Sequence, residues 1–133
     1  DPSRWDTAVD EMLRWGSSIH NFRRTATRDT ELRGRPIAAG DKVVMYYASA
    51  NRDEDVFEDP HTFDVGRTPN DHVAFGGGGE HYCLGASLAR LEGRVALDEL
   101  LNRFPEWDLD PEGMKLAPTS TVRGWESMPI VLP

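Results

Sequence analysis

The sequence contains a single cysteine, Cys83, and that scarcity excludes much. No internal disulfide can form. A structural zinc site also lacks ligands, because His20, His61, His72 and His81 are scattered without ligand spacing. Nothing in the chain needs an oxidising compartment. Long apolar runs are absent too, and no stretch approaches the roughly 18 consecutive apolar residues of a membrane span. The opening Asp1-Pro2-Ser3-Arg4 has no charged-then-apolar leader pattern, so a cytoplasmic location is expected. Basic charge is in deficit: 15 Lys and Arg against 23 Asp and Glu leave a net charge of −8. Phosphate backbones and anionic membrane surfaces would repel such a chain, which excludes nucleic acid as an expected partner. There is no internal repeat and no low-complexity block.

What is present is ordinary for one globular unit: 133 residues, 38% hydrophobic and 29% charged, read as a single domain unit over 1–133. Trp5, Val9, Met12, Leu13 and Gly16 fall at helical spacing, with Ser3 and Asp6 as a capping box and Gly16 as the stop. β-Branched and aromatic residues collect from His20 to about Arg28 and from Lys42 to Ser49, between turn signals at Arg33-Gly34 and Ala39-Gly40-Asp41. These predict a small antiparallel sheet. Residues 51–80 are dominated by Asn, Asp, Pro and Gly, with Phe57, Phe63 and Phe75 as isolated anchors, and such a long irregular connection is usually functional or disordered. Beyond Cys83, the spacing of Leu84, Leu88, Leu91, Val95, Leu101 and Phe104 predicts the longest helix, stopped by Pro105. The tail from Trp107 to Pro133 predicts one more hairpin.

The most unusual passage is Phe75-Gly76-Gly77-Gly78-Gly79-Glu80-His81-Tyr82-Cys83-Leu84-Gly85, which runs directly into that helix. Consecutive glycines are costly to order, so the backbone there needs positive φ or the close approach of something bulky. A planar ligand meets the second need. Cys83 then lies at a helix N-terminus, where free amides and the helix dipole favour a thiolate, the form that binds metal. A thiolate on haem iron pushes electron density that favours O–O cleavage. Other readings compete. A glycine loop before a helix often holds phosphate, but no Gly-Lys-Ser/Thr ending follows and Glu80 opposes an anion. A lone cysteine is often a small buried hydrophobe. A cysteine nucleophile with His81 as its base is conceivable, although residues two apart entering a helix do not face each other.

The loop resembles the cytochrome P450 superfamily, whose pattern is Phe, a glycine-rich spacer, Gly, any residue, His or Arg, any residue, Cys, any residue, Gly. Here Phe75, Gly79, His81, Cys83 and Gly85 fill it. Phe75 lies one residue further from the cysteine than is common, which resembles an actinobacterial subset oxidising sterols and branched lipids. A second family signature, Glu-x-x-Arg, occurs as Glu11-Met12-Leu13-Arg14; alone it is a pair found on countless solvated helices. In the family it forms a buried network with an arginine of the irregular segment. Thr62 stands where many relatives carry that arginine, and Arg67 is the substitute this sequence offers.

The resemblance implies a mainly α fold with small antiparallel sheets, the C-terminal part of the cytochrome P450 fold. It implies haem b (iron protoporphyrin IX) as cofactor and Cys83 as its metal ligand, with Arg24 and His81 on the two propionates and Phe75, Gly79 and Gly85 shaping the loop. A buried carboxylate requires such charge-assisted bonds; for Arg24 the alternative is a solvent-facing strand residue, for His81 a loop-ordering one. Residues around Ser18, Ile19 and Phe22, with Thr121 to Trp125, correspond to regions lining an apolar substrate pocket. Arg90 and Arg94 resemble the basic rim where a ferredoxin-type electron donor, served by its reductase, docks. Family members are much longer than this chain and carry an oxygen-side helix that delivers protons to dioxygen; nothing here replaces it, so a fragment is expected. The implied activity is a monooxygenase acting on an apolar substrate, sterol or branched lipid. The alternative is a noncatalytic or degenerate haem-binding domain, and a cysteine hydrolase is a remote third.

Overall fold

The computed structural model describes residues 2–133, with four two-stranded antiparallel sheets among three α-helices. A 3-10 turn, Pro2–Arg4, leads into α1, Trp5–Gly16. Arg4 is the N-cap and no side chain caps it, so the Ser3/Asp6 box is not the device that starts the helix. The stop is displaced by one as well: Gly16 is the last helical residue, and Ser17 takes the left-handed cap at φ 43°, its N–H donating to the Leu13 carbonyl.

Strand β1 (Asn21–Thr25) pairs antiparallel with β4 (Lys42–Tyr46), placing Arg24 opposite Val43. Between them β2 (Thr30–Leu32) and β3 (Arg35–Ile37) form a hairpin. Its turn, Arg33-Gly34, has both φ angles positive, at 48° and 77°, the left-handed twist that a two-residue connection needs. The second predicted strand is shorter than expected. It ends at Tyr46 and Tyr47–Ala50 turns into the short helix α2, which lets Asn51 point back to α1.

After the irregular stretch, α3 spans Ala86–Arg103 and packs on α1. Gly93 permits the approach, since a Cβ there would lie 3.2 Å from Val9 Cγ1. The apolar row that predicts this helix is largely uncovered in this chain: Leu88, Leu91 and Val95 are half exposed, and Leu84, just before the helix, is fully exposed. A period identifies the apolar face of a helix but not whether the same 133 residues supply its cover. The tail differs from the single predicted hairpin. Strands β5 (Asp108–Leu109) and β8 (Ile130–Val131) pair outside β6 (Lys115–Leu116) and β7 (Trp125–Ser127), with a 3-10 turn Pro111–Gly113 between. A bridge between Ile19 and Val122 ties this tail to the segment after α1, supported by His20 N–H to the Thr121 carbonyl at 2.8 Å.

The buried apolar residues are few: Ala8, Val9, Phe57 and Ala86. The fully buried large side chains are polar instead, namely Arg14, Glu11, Asn51 and Ser17. Polar groups buried in that way must be hydrogen-bonded, and these are. No helix among the described residues is long and apolar enough to cross a membrane.

Candidate functional site

On the inner face of α1, three-residue spacing puts Glu11 and Arg14 side by side, and Arg14 donates Nε to Oε2 and Nη2 to Oε1, both at 2.7 Å. Arg14 also donates to the carbonyls of Asn51 (2.8 Å), Pro60 (2.9 Å) and Thr62 (3.1 Å). Arg67 Nε lies 3.2 Å from Glu11 Oε2, and its Nη atoms donate to the carbonyls of Glu58, Asp59 and Thr62. Thr62 therefore serves through its backbone, and the arginine of this cluster comes from position 67. The Asp64 amide (2.9 Å) and Asn70 Nδ2 (3.1 Å) complete the shell of Glu11. Burial pushes the Glu11 carboxyl upward, but the Arg14 hydrogen bonds, the Asp64 amide and the charges of Arg14 and Arg67 outweigh it and hold its pKa at about 2. Asn51 links this cluster onward: it donates to Ser17 Oγ at 2.9 Å and accepts the Val73 amide at 2.7 Å, fixing the approach to the glycine loop.

Gly76, Gly78 and Gly79 have φ of 95°, 93° and 80°, conformations that L side chains rarely adopt. They curl the chain so that the Cys83 amide donates back to the Phe75 carbonyl at 3.0 Å and the Tyr82 amide to Gly79 at 3.1 Å. The Cys83 thiol is left exposed one turn before α3, with Gly85 beneath it, where an added Cβ would come 3.8 Å from Sγ.

A pocket of about 520 Å³ opens beside the thiol and brings Arg24, Phe75, His81 and Cys83 together. Its other walls include Leu13, Ile19, Phe22, Tyr47 and Ala89, so it is mostly apolar. Arg24 comes from β1 and is exposed; among the described residues its guanidinium donates only to the Arg23 carbonyl, at 3.1 Å, and its Cζ lies 6.0 Å from the Phe22 ring. Among the described residues neither Arg24 nor His81 has a carboxylate partner. Two anion-binding side chains, a free thiol and apolar walls around one space suit a flat apolar group that carries carboxylates and a metal. Gly79 contributes backbone conformation rather than a wall, and the Glu11, Arg14 and Arg67 cluster lies outside the pocket.

Behind the loop, the sequence reading missed Asp10 and His72 and gave Arg90 a different place. Arg90 sits over the Phe75 ring, 4.8 Å from its centroid, and donates to Asp10 Oδ1 at 2.7 Å. It is thus engaged inward rather than standing free on a basic rim, while Arg94 lies 3.5 Å from Asp6 at the surface. His72, nearly buried, shares Asp10 Oδ1 at 3.3 Å, and burial is the main reason its pKa is lowered, against the raising effect of Asp10. No spacing rule joins Asp10 on α1, His72 in the irregular stretch and Arg90 on α3, which meet only through tertiary packing.

A family model described as Cytochrome P450 matches residues 5–129. The chain belongs to the cytochrome P450 family. It is 52% identical over 124 residues to a protein named methyl-branched lipid omega-hydroxylase from Mycobacterium bovis, covering 93% of this chain and 29% of that protein. It is 46% identical over 133 residues to a steroid C26-monooxygenase of Mycolicibacterium smegmatis, covering 94% and 30%. Among solved structures, a Mycobacterium marinum cytochrome P450 in complex with pseudoionone superposes with a TM-score of 0.91 at 47% identity, covering 98% of this chain and 31% of that one. The chain thus spans about a third of the length of the cytochromes P450 it matches, and its helices with small antiparallel sheets are part of their fold. Haem b is the cofactor of this family.

Proposed function

We propose that residues 1–133 form the haem-thiolate portion of a larger cytochrome P450 domain, working as a monooxygenase on an apolar substrate. The observation that carries this reading is the single pocket where Cys83, Arg24 and His81 meet under apolar walls. Bound there, haem b would supply the iron chemistry by which dioxygen, with two electrons from the donor and two protons, places one oxygen atom in an unactivated C–H bond and releases the other as water. Cys83 would hold the iron through its sulfur, favoured as a thiolate by the helix N-terminus behind it. Arg24 and His81 each hold a propionate, offsetting the desolvation of those carboxylates. Phe75, Gly79 and Gly85 set the loop and leave room for the macrocycle.

Ser18, Ile19 and Phe22 line the substrate side, with the 121–125 segment brought next to them by the Ile19–Val122 bridge. The apolar side chains of Ile19, Phe22 and Val122 suit a sterol or methyl-branched lipid, the classes in the names of the relatives. A ferredoxin-type donor with its reductase supplies electrons, and the protein works in the cytoplasm. The exposed Leu84, Leu88, Leu91 and Val95 suit a face that the rest of such a domain or a partner covers.

The test is the carbon monoxide spectrum of the reduced, haem-loaded intact protein. A strongly red-shifted Soret band that Cys83→Ser removes is the expected result. A band indifferent to that substitution, or no haem uptake, overturns the proposal.

A further inference from the structure

Phe75 begins the glycine loop, and its carbonyl accepts the Cys83 amide at 3.0 Å, so whatever fixes Phe75 also fixes the backbone that carries the thiol. The ring is held from three directions: Tyr82 meets it edge-on at 6.5 Å between centroids, His72 lies 5.9 Å away, and the Arg90 guanidinium covers it at 4.8 Å. Arg90 also reaches the Tyr82 hydroxyl at 3.4 Å.

Two of these three groups end on one atom. Arg90 Nε and His72 Nε2 both meet Asp10 Oδ1, at 2.7 and 3.3 Å. The tautomer of His72 follows from its other nitrogen, since Nδ1 accepts the Ala74 amide at 3.2 Å and the ring proton is left on Nε2, facing the carboxylate. Asp10 is one residue before the buried Glu11, on the part of α1 that packs against α3, so its own backbone is rigid. A fixed carboxylate of this kind orients its charged partners with little loss of side-chain freedom.

We infer that Asp10 is a positioning residue for the thiolate: through Arg90 and His72 it clamps Phe75, and through the Phe75 carbonyl it orients Cys83. This rests on the haem-thiolate reading above. A second ion pair between the same two helices, Asp6 with Arg94 at 3.5 Å, is exposed and touches no part of the loop, and it separates positioning from mere helix docking.

The experiment compares the intact wild type with Asp10→Ala, Asp10→Asn and Asp6→Ala by two readouts. Without haem, hydrogen exchange of the Cys83 amide is expected to quicken about ten-fold in Asp10→Ala while amides of β1 and β4 keep their rates, and Asp6→Ala is expected to change neither. With haem, the reduced carbon monoxide complex of Asp10→Ala is expected to lose part of its red-shifted band to the blue-shifted form that lacks a thiolate. Asp10→Asn, the milder variant, carries both readouts where the alanine variant fails to fold. Unchanged Cys83 exchange in a folded Asp10 variant, or an unchanged band beside a merely lowered melting temperature, overturns the inference. The exchange readout needs no haem, so a wild type that takes up no haem sinks the functional reading and still leaves the clamp judged.

Discussion

Two clusters of cationic side chains lie on either side of α1, and they differ in what surrounds them. Behind the helix, Arg14 and Arg67 are saturated, with Glu11 and the carbonyls of Asn51, Glu58, Asp59, Pro60 and Thr62 taking their N–H groups. In front of it, Arg24 and His81 face an apolar pocket without a carboxylate between them. The first cluster has finished its chemistry on folding; the second has its donors in reserve. On the proposed reading, arginine thus holds the fold in one place and awaits a ligand in the other, and only the partner inventory separates them.

The largest effect is expected in the saturated cluster. Arg14→Ala leaves the Glu11 carboxylate buried beside three carbonyls that have lost a donor, and breaking a buried pair by removing one partner costs about 3–5 kcal/mol. Urea unfolding of the intact protein checks it. A loss below about 1 kcal/mol would show that the cluster is as dispensable as a surface pair and would erase the contrast with the pocket side.

Acid is the next probe of the same contrast. Glu11 has a folded pKa of about 2 against 4.5 for the free group, so its contribution is fully present above about pH 4.5 and is lost as pH falls through the folded value. Shifts of this size amount to about 3 kcal/mol. The denaturation midpoint of the wild type is expected to fall steeply between those limits, and Glu11→Gln to flatten that slope. His72 acts in a separate window: its lowered pKa favours the neutral ring on folding, so it costs stability as pH drops below 6.5, and Glu11→Gln leaves that part untouched.

Much of this organisation was legible in the sequence because it is carried by local rules. The glycine run before Cys83 points to positive φ or a close approach whatever the rest of the chain does, and three of its members adopt positive φ. The Glu11/Arg14 spacing placed both side chains on one helix face, but a spacing does not reveal burial, and the five carbonyls that close on Arg14 and Arg67 come from a segment with no regular period. Of the apolar row, Leu88, Leu91 and Val95 lie on the predicted helix while Leu84 falls just before its start; their exposure was not legible, since cover is a property of what packs there. The meeting of Asp10, His72 and Arg90 had no signal, because it joins three distant parts of the chain at one carboxylate oxygen, and Arg90 was read only as part of a basic rim.

The sharpest test of the comparison is the one with the smallest effect on folding. Arg24 is exposed on β1 and, among the described residues, its guanidinium is hydrogen-bonded only to the Arg23 carbonyl and lies 6.0 Å from the Phe22 ring, so Arg24→Ala removes little that the folded chain relies on. Stability without haem is expected to stay within about 0.5 kcal/mol of wild type. Haem affinity is another matter, since a charge-assisted bond to a carboxylate is worth about 1.5–3 kcal/mol, which is roughly ten-fold or more in the dissociation constant. Titrating haem into the intact variant and following the Soret band reads that loss directly. If instead Arg24→Ala unfolds the protein as Arg14→Ala does, Arg24 belongs with the saturated cluster and the pocket loses one of its two carboxylate partners. If neither stability nor haem affinity moves, Arg24 is a solvent-facing strand residue and His81 alone is left to hold a propionate.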